Sequence, residues 1–89
     1  MDKKHYEQIY VDAVKREFDA LKDEFNNKND AWDAAYISVA ETATPEEVAG
    51  YYIVNYKDDA LEMWLDNTKN MMLDDDGKEV QRILYRLYI

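Results

Sequence analysis

Apolar residues recur along this chain at the three- and four-residue steps that are typical of an α-helix. The first such stripe consists of Val11, Val14, Phe18, Leu21 and Phe25. It predicts an amphipathic helix that has Asp2 as its N-cap and runs to about Asn26.

A second helix is predicted after the loop Asn26-Asn27-Lys28-Asn29, where short amide side chains compete with the backbone for hydrogen bonds. Asp30 is the expected N-cap of this helix. Its expected inner face consists of Trp32, Ala35, Tyr36, Val39, Ala40 and Ala43.

The run Thr44-Pro45-Glu46-Glu47 gives the clearest boundary in the chain. Thr at the N-cap, Pro at the first helical position and Glu at the third form a capping box, so a third helix should begin here. Residues 51–56 alone have strand propensity. We expect them to be helical, because a single strand would have no obvious partner, but the strand alternative stays open.

Asp59 and Glu62 form a second potential capping box that would break the helix near Lys57-Asp58. One continuous helix from Pro45 to Met72 is the alternative. The apolar stripe of this segment consists of Leu61, Trp64, Leu65, Thr68 and either Met71 or Met72.

A last helix is predicted from Asp76 onward, with Asp76-Gly77-Lys78-Glu79 as its start. Its inner face consists of Val80, Ile83, Leu84, Leu87 and Tyr88. The expected architecture is therefore all-α, a compact single-domain bundle of four or five helices over residues 1–89.

Charge is unevenly placed along the chain, whose formal net charge is −9. Residues 1–29 carry seven acids and six bases, and residues 67–89 carry four of each. The segment 30–66 carries nine acids and one base, Lys57. In the first helix the acids have bases at pairing distance, such as Asp12 with Arg16. The middle segment lacks such partners.

Part of this acidity has a structural explanation, because carboxylates in the first turn of a helix are favoured by its dipole. The near absence of bases has no such explanation, and a surface of one sign attracts a partner of the other. The stripe Asp58, Glu62 and Asp66 is the strongest candidate. The complete predicted partner-binding set is Asp30, Asp33, Glu41, Glu46, Glu47, Asp58, Glu62 and Asp66.

Catalytic chemistry finds little support in the sequence. His5 is the only histidine, Ser38 is the only serine, and there is no cysteine, so a nucleophile–base pair would need the N-terminus to dock on the second helix. Asp74-Asp75-Asp76-Gly77 resembles a calcium loop, but its first and twelfth positions would be Met72 and Ile83, which supply no side-chain oxygen. We predict no enzyme activity, no metal site and no cofactor.

The acidity also argues against direct binding to nucleic acid or to an anionic membrane, since both would repel it. DNA carries one charge per about 1.7 Å of axis, whereas a helix with an acid at every fourth residue carries one per roughly 6 Å. Imitation of DNA would therefore need acids from two or three neighbouring helices. The partner expected from the charge is a basic nucleic-acid-binding protein.

A short, acidic, cysteine-free and Tyr-rich helical chain resembles the small phage-encoded proteins that block host defence, including DNA-mimic anti-restriction and anti-CRISPR inhibitors. The resemblance covers the whole chain in composition and charge layout, and no motif matches residue by residue. It implies inhibition of a defence effector in the host cytoplasm. A cytoplasmic setting also fits the absence of cysteine.

Eight tyrosines in 89 residues favour a rival interpretation, an interaction module or homodimer held by aromatic and Met contacts. Tyr51, Tyr52 and Tyr56 cannot all point inward from one helix, and Tyr6 and Tyr10 are not expected to be wholly buried near a terminus. Trp32 and Trp64 are expected in the core. The alternative interface consists of Tyr51, Tyr52, Tyr56, Met63, Met71 and Met72.

Overall fold

The chain folds into α-helices joined by short turns. The computed structural model describes residues 2–89, and within that range it has no β-strand. The predicted all-α bundle is therefore confirmed, and residues 51–56 are helical. The elements are α1 (Lys3–Leu21), a 3₁₀ turn (Lys22–Glu24), α2 (Lys28–Thr42), α3 (Pro45–Tyr56), a second 3₁₀ turn (Lys57–Asp59), α4 (Ala60–Thr68) and α5 (Asp75–Tyr88).

Two predicted helix starts are confirmed by their cap hydrogen bonds. The backbone N–H of His5 donates to Asp2 Oδ1 at 3.1 Å. At α3 the capping box is complete, because the N–H of Glu47 donates to Thr44 Oγ1 at 3.3 Å and the N–H of Thr44 donates to Glu47 Oε1 at 3.0 Å. The four-residue sequence pattern therefore identified this boundary correctly.

Two other predicted starts are wrong by two or three residues. Asn27, not Asp30, caps α2, since its side chain accepts from the N–H of Asn29 at 2.7 Å. Asp74, not Asp76, caps α5, since it accepts from the N–H of Gly77 at 2.8 Å. In both cases an earlier polar residue takes the cap, and the predicted cap becomes a first-turn acid that the helix dipole still favours.

The first helix ends earlier than its apolar stripe predicts. The α-helical hydrogen bonds stop at Leu21, a 3₁₀ turn follows, and the extended Phe25 is left 39 % exposed. The buried positions of α1 are Tyr6, Tyr10, Ala13 and Val14. The expectation that Tyr6 and Tyr10 stay partly outside is therefore wrong, because α3 packs over the N-terminal half of α1 and covers both rings.

The predicted break near Lys57-Asp58 is confirmed, so α3 and α4 are separate helices. Lys57 adopts φ 49° and ψ −116°, and it is the one non-glycine residue with positive φ among residues 2–89. Its carbonyl oxygen accepts a 2.5 Å hydrogen bond from the hydroxyl of Tyr88. Asp59 occupies the N-cap position of α4 without a side-chain cap hydrogen bond, so the second capping box is wrong.

The core consists of two clusters that α1 and α3 connect. The first lies among α3, α4, α5 and the start of α1, and the second lies between α1 and α2, with Val54 of α3 packed against it. Within residues 2–89, α2 has no extensive contact with α4 or α5. The molecule accordingly measures 43 × 27 × 19 Å. The clusters are Tyr6, Ala49, Ile53, Ala60, Trp64, Val80, Ile83 and Leu84, and Tyr10, Ala13, Val14, Ala35 and Val39.

The two tryptophans have different surroundings. Trp64 is buried and its Nε1–H donates to Gln81 Oε1 at 3.1 Å. Trp32 is half-buried and stacks on Phe18, with ring centroids 3.9 Å apart. The predicted α4 stripe fails at its end, because Met71 and Met72 are 62 % and 98 % exposed. The helix stops at Thr68, so the two Met residues no longer follow its inner face.

Candidate protein-binding surface

The acidic residues of α2 lie on its solvent side. Asp30 and Asp33 occupy its first two turns and Glu41 its last turn, and all three are exposed. They face away from α1 because the small side chains Ala31 and Ala35 occupy the inner face of the helix. These three predicted residues therefore form an exposed acidic side of α2.

The stripe Asp58, Glu62 and Asp66 crosses from the second 3₁₀ turn into α4. Asp58 lies in the 3₁₀ turn, and Glu62 and Asp66 lie in α4. All three are exposed, but only the last two share one helix face at four-residue spacing. The expected three-residue stripe on one helix is therefore shortened by the break at Lys57.

Glu47 has a structural position that the charge pattern alone could not distinguish from its neighbours. One carboxylate oxygen accepts from the N–H of Thr44, and the other accepts from Arg16 at 3.5 Å. Arg16 therefore pairs across to α3 instead of with Asp12, which accepts from Gln8 at 2.7 Å. Glu46, one residue earlier, is half-buried and has no such partner.

Seven of the eight predicted binding carboxylates are uncompensated. Among residues 2–89 the ion pairs are Arg16–Glu47, Lys22–Asp19 and Arg82–Glu79. Only Glu47 of the predicted set takes part in any of them. Surface ion pairs neutralise a local field even when they add little stability, so the remaining carboxylates leave a one-sign potential over α2 and α4.

The structure does not bring the two acidic groups together by direct packing. Asp30, Asp33 and Glu41 lie on α2, which packs on α1, whereas α4 packs on α3 and α5. The condition for DNA-like charge density, acids on neighbouring helices, is therefore not met by α2 and α4 as a direct pair. The acidic residues of α2 and those of α4 therefore form two separate surfaces.

A groove between α2 and α3, with α1 as its floor, is a feature that the sequence analysis missed. Its volume is about 820 Å³. Tyr10 and Val14 form part of the floor, and Tyr36 and Ala40 of α2 face Val48 and Tyr51 of α3. Three large apolar side chains remain partly open to solvent here, Val11 at 46 %, Tyr36 at 50 % and Tyr51 at 39 %. The predicted burial of Tyr36 and Ala40 on α2 is therefore wrong.

Tyrosine rings connect this groove to the first core cluster. Tyr51 makes edge contacts with Tyr10 and Tyr52, at centroid distances of 5.7 Å and 5.4 Å. Tyr52 in turn contacts Trp64 at 5.4 Å, and its hydroxyl accepts from Asn67 Nδ2 at 3.1 Å. Edge-to-face pairs of this kind are a favourable arrangement of aromatic rings, so the α3 wall of the groove consists of mutually packed aromatic rings.

The phenols of the three groove helices lie close enough to influence each other. Burial raises the pKa of Tyr10, and the neighbouring phenols of Tyr36 and Tyr51 raise it further. Burial likewise raises the pKa of Tyr51, with additional contributions from Tyr56 and Tyr52. The raised pKa values keep the hydroxyls of Tyr10 and Tyr51 protonated, as hydrogen-bond donors, at neutral pH.

The alternative interface is divided by the fold. Tyr51 lies in the groove, Tyr52, Tyr56 and Met63 are half-buried, and Met71 and Met72 are exposed in the turn between α4 and α5. Ring contacts join the three tyrosines to one another, whereas Met71 and Met72 lie beyond the end of α4. The exposed apolar residues that do lie together are those of the groove.

The groups weighed for catalysis and metal binding are placed as follows. His5 is exposed near the start of α1, where its ring contacts Tyr6, and Ser38 lies on α2, where its carbonyl accepts from Thr42. Within residues 2–89 no group of three or more His, Asp or Glu side chains is arranged to hold a metal ion. In the same range no helix combines the length and apolar character needed to cross a membrane.

The fold and surface define an all-α bundle with two acidic helices and an apolar groove. Comparison of the chain with protein-family models, with curated proteins and with solved structures finds no match in any of the three.

Proposed function

We propose that this protein is a non-enzymatic binding protein whose acidic surface occupies the basic, nucleic-acid-binding surface of a partner protein and blocks it. The observation that carries the proposal is the set of seven uncompensated carboxylates on α2, the start of α3, the second 3₁₀ turn and α4. Six of them are exposed, with Glu46 half-buried.

A basic partner follows from electrostatics. Residues 30–66 carry a net charge of −8, from nine acids and one base. Such a field speeds encounter with positive surfaces and opposes encounter with nucleic acid or a second copy of the chain. Proteins that bind nucleic acid present clustered Lys and Arg side chains, and they are the class of protein that this surface fits.

The finer proposal is inhibition of a host defence effector, of the anti-restriction or anti-CRISPR kind, in the host cytoplasm. It is supported by the resemblance in size, composition and charge layout. The separation of α2 from α4 modifies it. The partner would bind either one acidic helix of this protein, or both helices through two separate basic patches of its own. The acidic surface would not imitate duplex DNA continuously.

Affinity capture from bacterial cytoplasmic extract tests the proposal, with bound proteins identified by mass spectrometry. The immobilised forms are the wild type, the triple variant Asp58→Lys, Glu62→Lys, Asp66→Lys, and the matched triple Asp12→Lys, Asp23→Lys, Glu24→Lys. Both variants change the net charge equally, so they separate the position of the charges from their number. Washes at about 0.05 M and about 0.5 M salt vary the screening length.

The expected result is a basic nucleic-acid-binding protein retained by the wild type and by the matched triple. It should elute as salt rises, be displaced by duplex DNA, and be lost from the Asp58, Glu62 and Asp66 variant. Equal retention by that variant would overturn the role of the α4 carboxylates. Partners that carry no basic surface would overturn the proposed function.

A second candidate function is an apolar interaction module, and the exposed groove residues favour it. Val11, Tyr36 and Tyr51 present partly exposed apolar surface in one place. Monomeric proteins rarely leave such concave apolar surface without a use. A homodimer through this surface predicts association that persists as salt rises, whereas the charge-driven complex weakens.

A further inference from the structure

The groove between α2 and α3 has the dimensions of a helix-binding site. Its α3 wall is 12 residues long, or roughly 18 Å, which corresponds to about three turns of a bound helix. Grooves that take an amphipathic helix are apolar at the floor and open along one side. Tyr10 and Val14 form such a floor here, and Val11, Tyr36 and Tyr51 are the partly exposed apolar residues above it.

The two walls of the groove carry charge of one sign. Residues 29–56, which include nearly all of α2 and the whole of α3, contain five acids and no Lys or Arg. Asp33 precedes Tyr36 by three residues and so adjoins it on the surface of α2, where it is exposed and has no ion pair. Glu47 lines the groove directly, although it is already paired with Arg16. The base that lines it, Lys15, belongs to α1.

Aromatic rings add a second means of binding cations. Tyr36 and Tyr51 lie on opposite walls, and their ring faces attract Arg and Lys side chains when these approach within about 6 Å. Apolar floor, acidic walls and exposed tyrosines together suit a ligand that is apolar on one side and basic on the others.

We propose that this groove binds one basic amphipathic helix of a partner protein. Its apolar side chains would contact the partly exposed Val11, Tyr36 and Tyr51 above the buried floor, and its Lys and Arg side chains would face the α2 and α3 walls. The inference rests on the proposed function, because it identifies the element of the basic partner that docks. A second copy of the chain is a poor occupant, since each copy carries −9 and two copies repel each other.

Synthetic peptides test the inference directly. The probe is a helical peptide of about 14 residues, with leucines at helical spacing and lysines at most other positions. A second peptide has glutamate in place of every lysine, and a third has the lysine composition in an order without an apolar face. Binding is measured by isothermal titration calorimetry, and the site is mapped by backbone amide chemical shifts.

Three variants of the protein locate the binding. Tyr36→Ala removes an exposed aromatic side chain from the α2 wall of the groove. Ala40→Trp introduces a large side chain that fills the groove from an exposed position on α2. Ile37→Ala is the matched control, because Ile37 is the neighbouring residue, is 60 % exposed and does not line the groove. Urea unfolding of each variant checks that the fold is intact.

The expected result is binding of the amphipathic lysine peptide, weakened roughly tenfold by Tyr36→Ala or Ala40→Trp and unchanged by Ile37→Ala. The shifts should map to residues of α2 and α3 that face the groove. Absence of binding up to about 1 mM, or equal binding to all variants, would overturn the inference. So would equal affinity for the glutamate peptide or for the peptide without an apolar face.

The two proposals fail separately. Suppose that the Asp58, Glu62 and Asp66 variant still captures the partner from extract, and that peptide binding is still weakened by Tyr36→Ala. The groove inference then stands, and the role of the α4 carboxylates is refuted. Suppose instead that this variant no longer captures the partner, and that Tyr36→Ala leaves the affinity for the peptide unchanged. The acidic-surface function then stands, and the groove inference is refuted. A dimer that Tyr36→Ala dissociates would identify a second copy as the occupant and overturn the basic helix.

Discussion

Gly50 of α3 lies directly against the backbone carbonyl of Tyr6 in α1. A Cβ atom at Gly50 would be 2.2 Å from the Tyr6 oxygen and 2.7 Å from Cβ of Tyr10. Non-bonded atoms do not approach that closely, so glycine is required where the two central helices cross. The contact also brings α1 and α3 close enough to bury the rings of Tyr6 and Tyr10.

Gly50→Ala should destabilise the protein although alanine favours the helix. Helix propensity alone would give a gain of about 1 kcal/mol, but forcing the backbones apart costs typically 1–3 kcal/mol. Urea unfolding measures the difference. Gly77→Ala is the control, because its new Cβ would meet Leu73 at 3.1 Å (Cδ2) and 3.2 Å (Cβ), with no backbone atom in the way. A shift of a few tenths of an ångström relieves this contact, so the variant should lose much less stability than Gly50→Ala. A more stable Gly50→Ala variant would show that the helices do not cross this closely.

Lys57→Gly should stabilise the protein by about 1 kcal/mol. At φ 49° and ψ −116° the residue has a conformation that glycine adopts with little strain and other residues adopt at a cost of order 1–3 kcal/mol. The greater backbone freedom of unfolded glycine offsets part of the gain. Thermal unfolding compares it with Lys57→Ala, which removes the same side chain but keeps the strain. Equal melting temperatures for the two variants would refute the strain argument.

Tyr88→Phe should lower the free energy of unfolding by about 1 kcal/mol at neutral pH, because the hydrogen bond to the Lys57 carbonyl is lost. The effect depends on pH. Burial, followed by the charges of Asp58 and Glu7, raises the pKa of Tyr88 above its ordinary value of 10.0.

A raised native pKa means that the protonated phenol is the form the fold favours. The stabilisation is complete below pH 10 and is lost as pH rises through the higher native pKa. Unfolding measured from pH 7 to pH 11 should therefore show a steeper alkaline loss in the wild type than in Tyr88→Phe. Tyr10 and Tyr51, whose pKa values are also raised, leave a residual slope in both. Parallel curves would contradict this account.

Glu47→Ala should cost about 1 kcal/mol, whereas Glu46→Ala in the same turn should cost less. Glu47 completes the capping box and meets Arg16, and loss of a cap typically costs about 1 kcal/mol. The exposed ion pair adds little. Chemical unfolding gives the loss of stability in each of the two single variants. Because both remove one negative charge from the same turn, the difference between them measures the structural role of Glu47. Equal losses would mean that the capping box contributes no measurable stability.

Local sequence patterns predicted those parts of the fold that depend on local contacts. The Thr44 capping box and the inner face of α5 are each determined within one or two helical turns. The break near Lys57 was predicted at the right place, but from a capping box that does not form. The wrong caps, Asp30 and Asp76, each have an earlier polar residue that serves equally well. In such a run the sequence does not distinguish between the competing caps.

Long-range features escaped the sequence analysis for a physical reason. The need for glycine at position 50 and the burial of Tyr6 and Tyr10 both depend on where two helices cross. The groove exists because α2 and α3 diverge above α1. The spacing of apolar residues along the sequence carries no information about that divergence. The charge asymmetry and the capping role of Glu47 were visible in the sequence, but the separation of α2 from α4, and the ion pair of Glu47 with Arg16, were not.

The two-cluster core leaves α2 with one main packing partner, α1. Its inner residues belong to the cluster shared with α1 alone, apart from the half-buried Val54 of α3. Local opening in native-state hydrogen exchange takes place where few buried contacts hold a segment. We therefore expect α2, which is one wall of the groove, to open while α3, α4 and α5 stay folded. A ligand held between α2 and α3 would close that opening, so slowed amide exchange confined to α2 would report its binding.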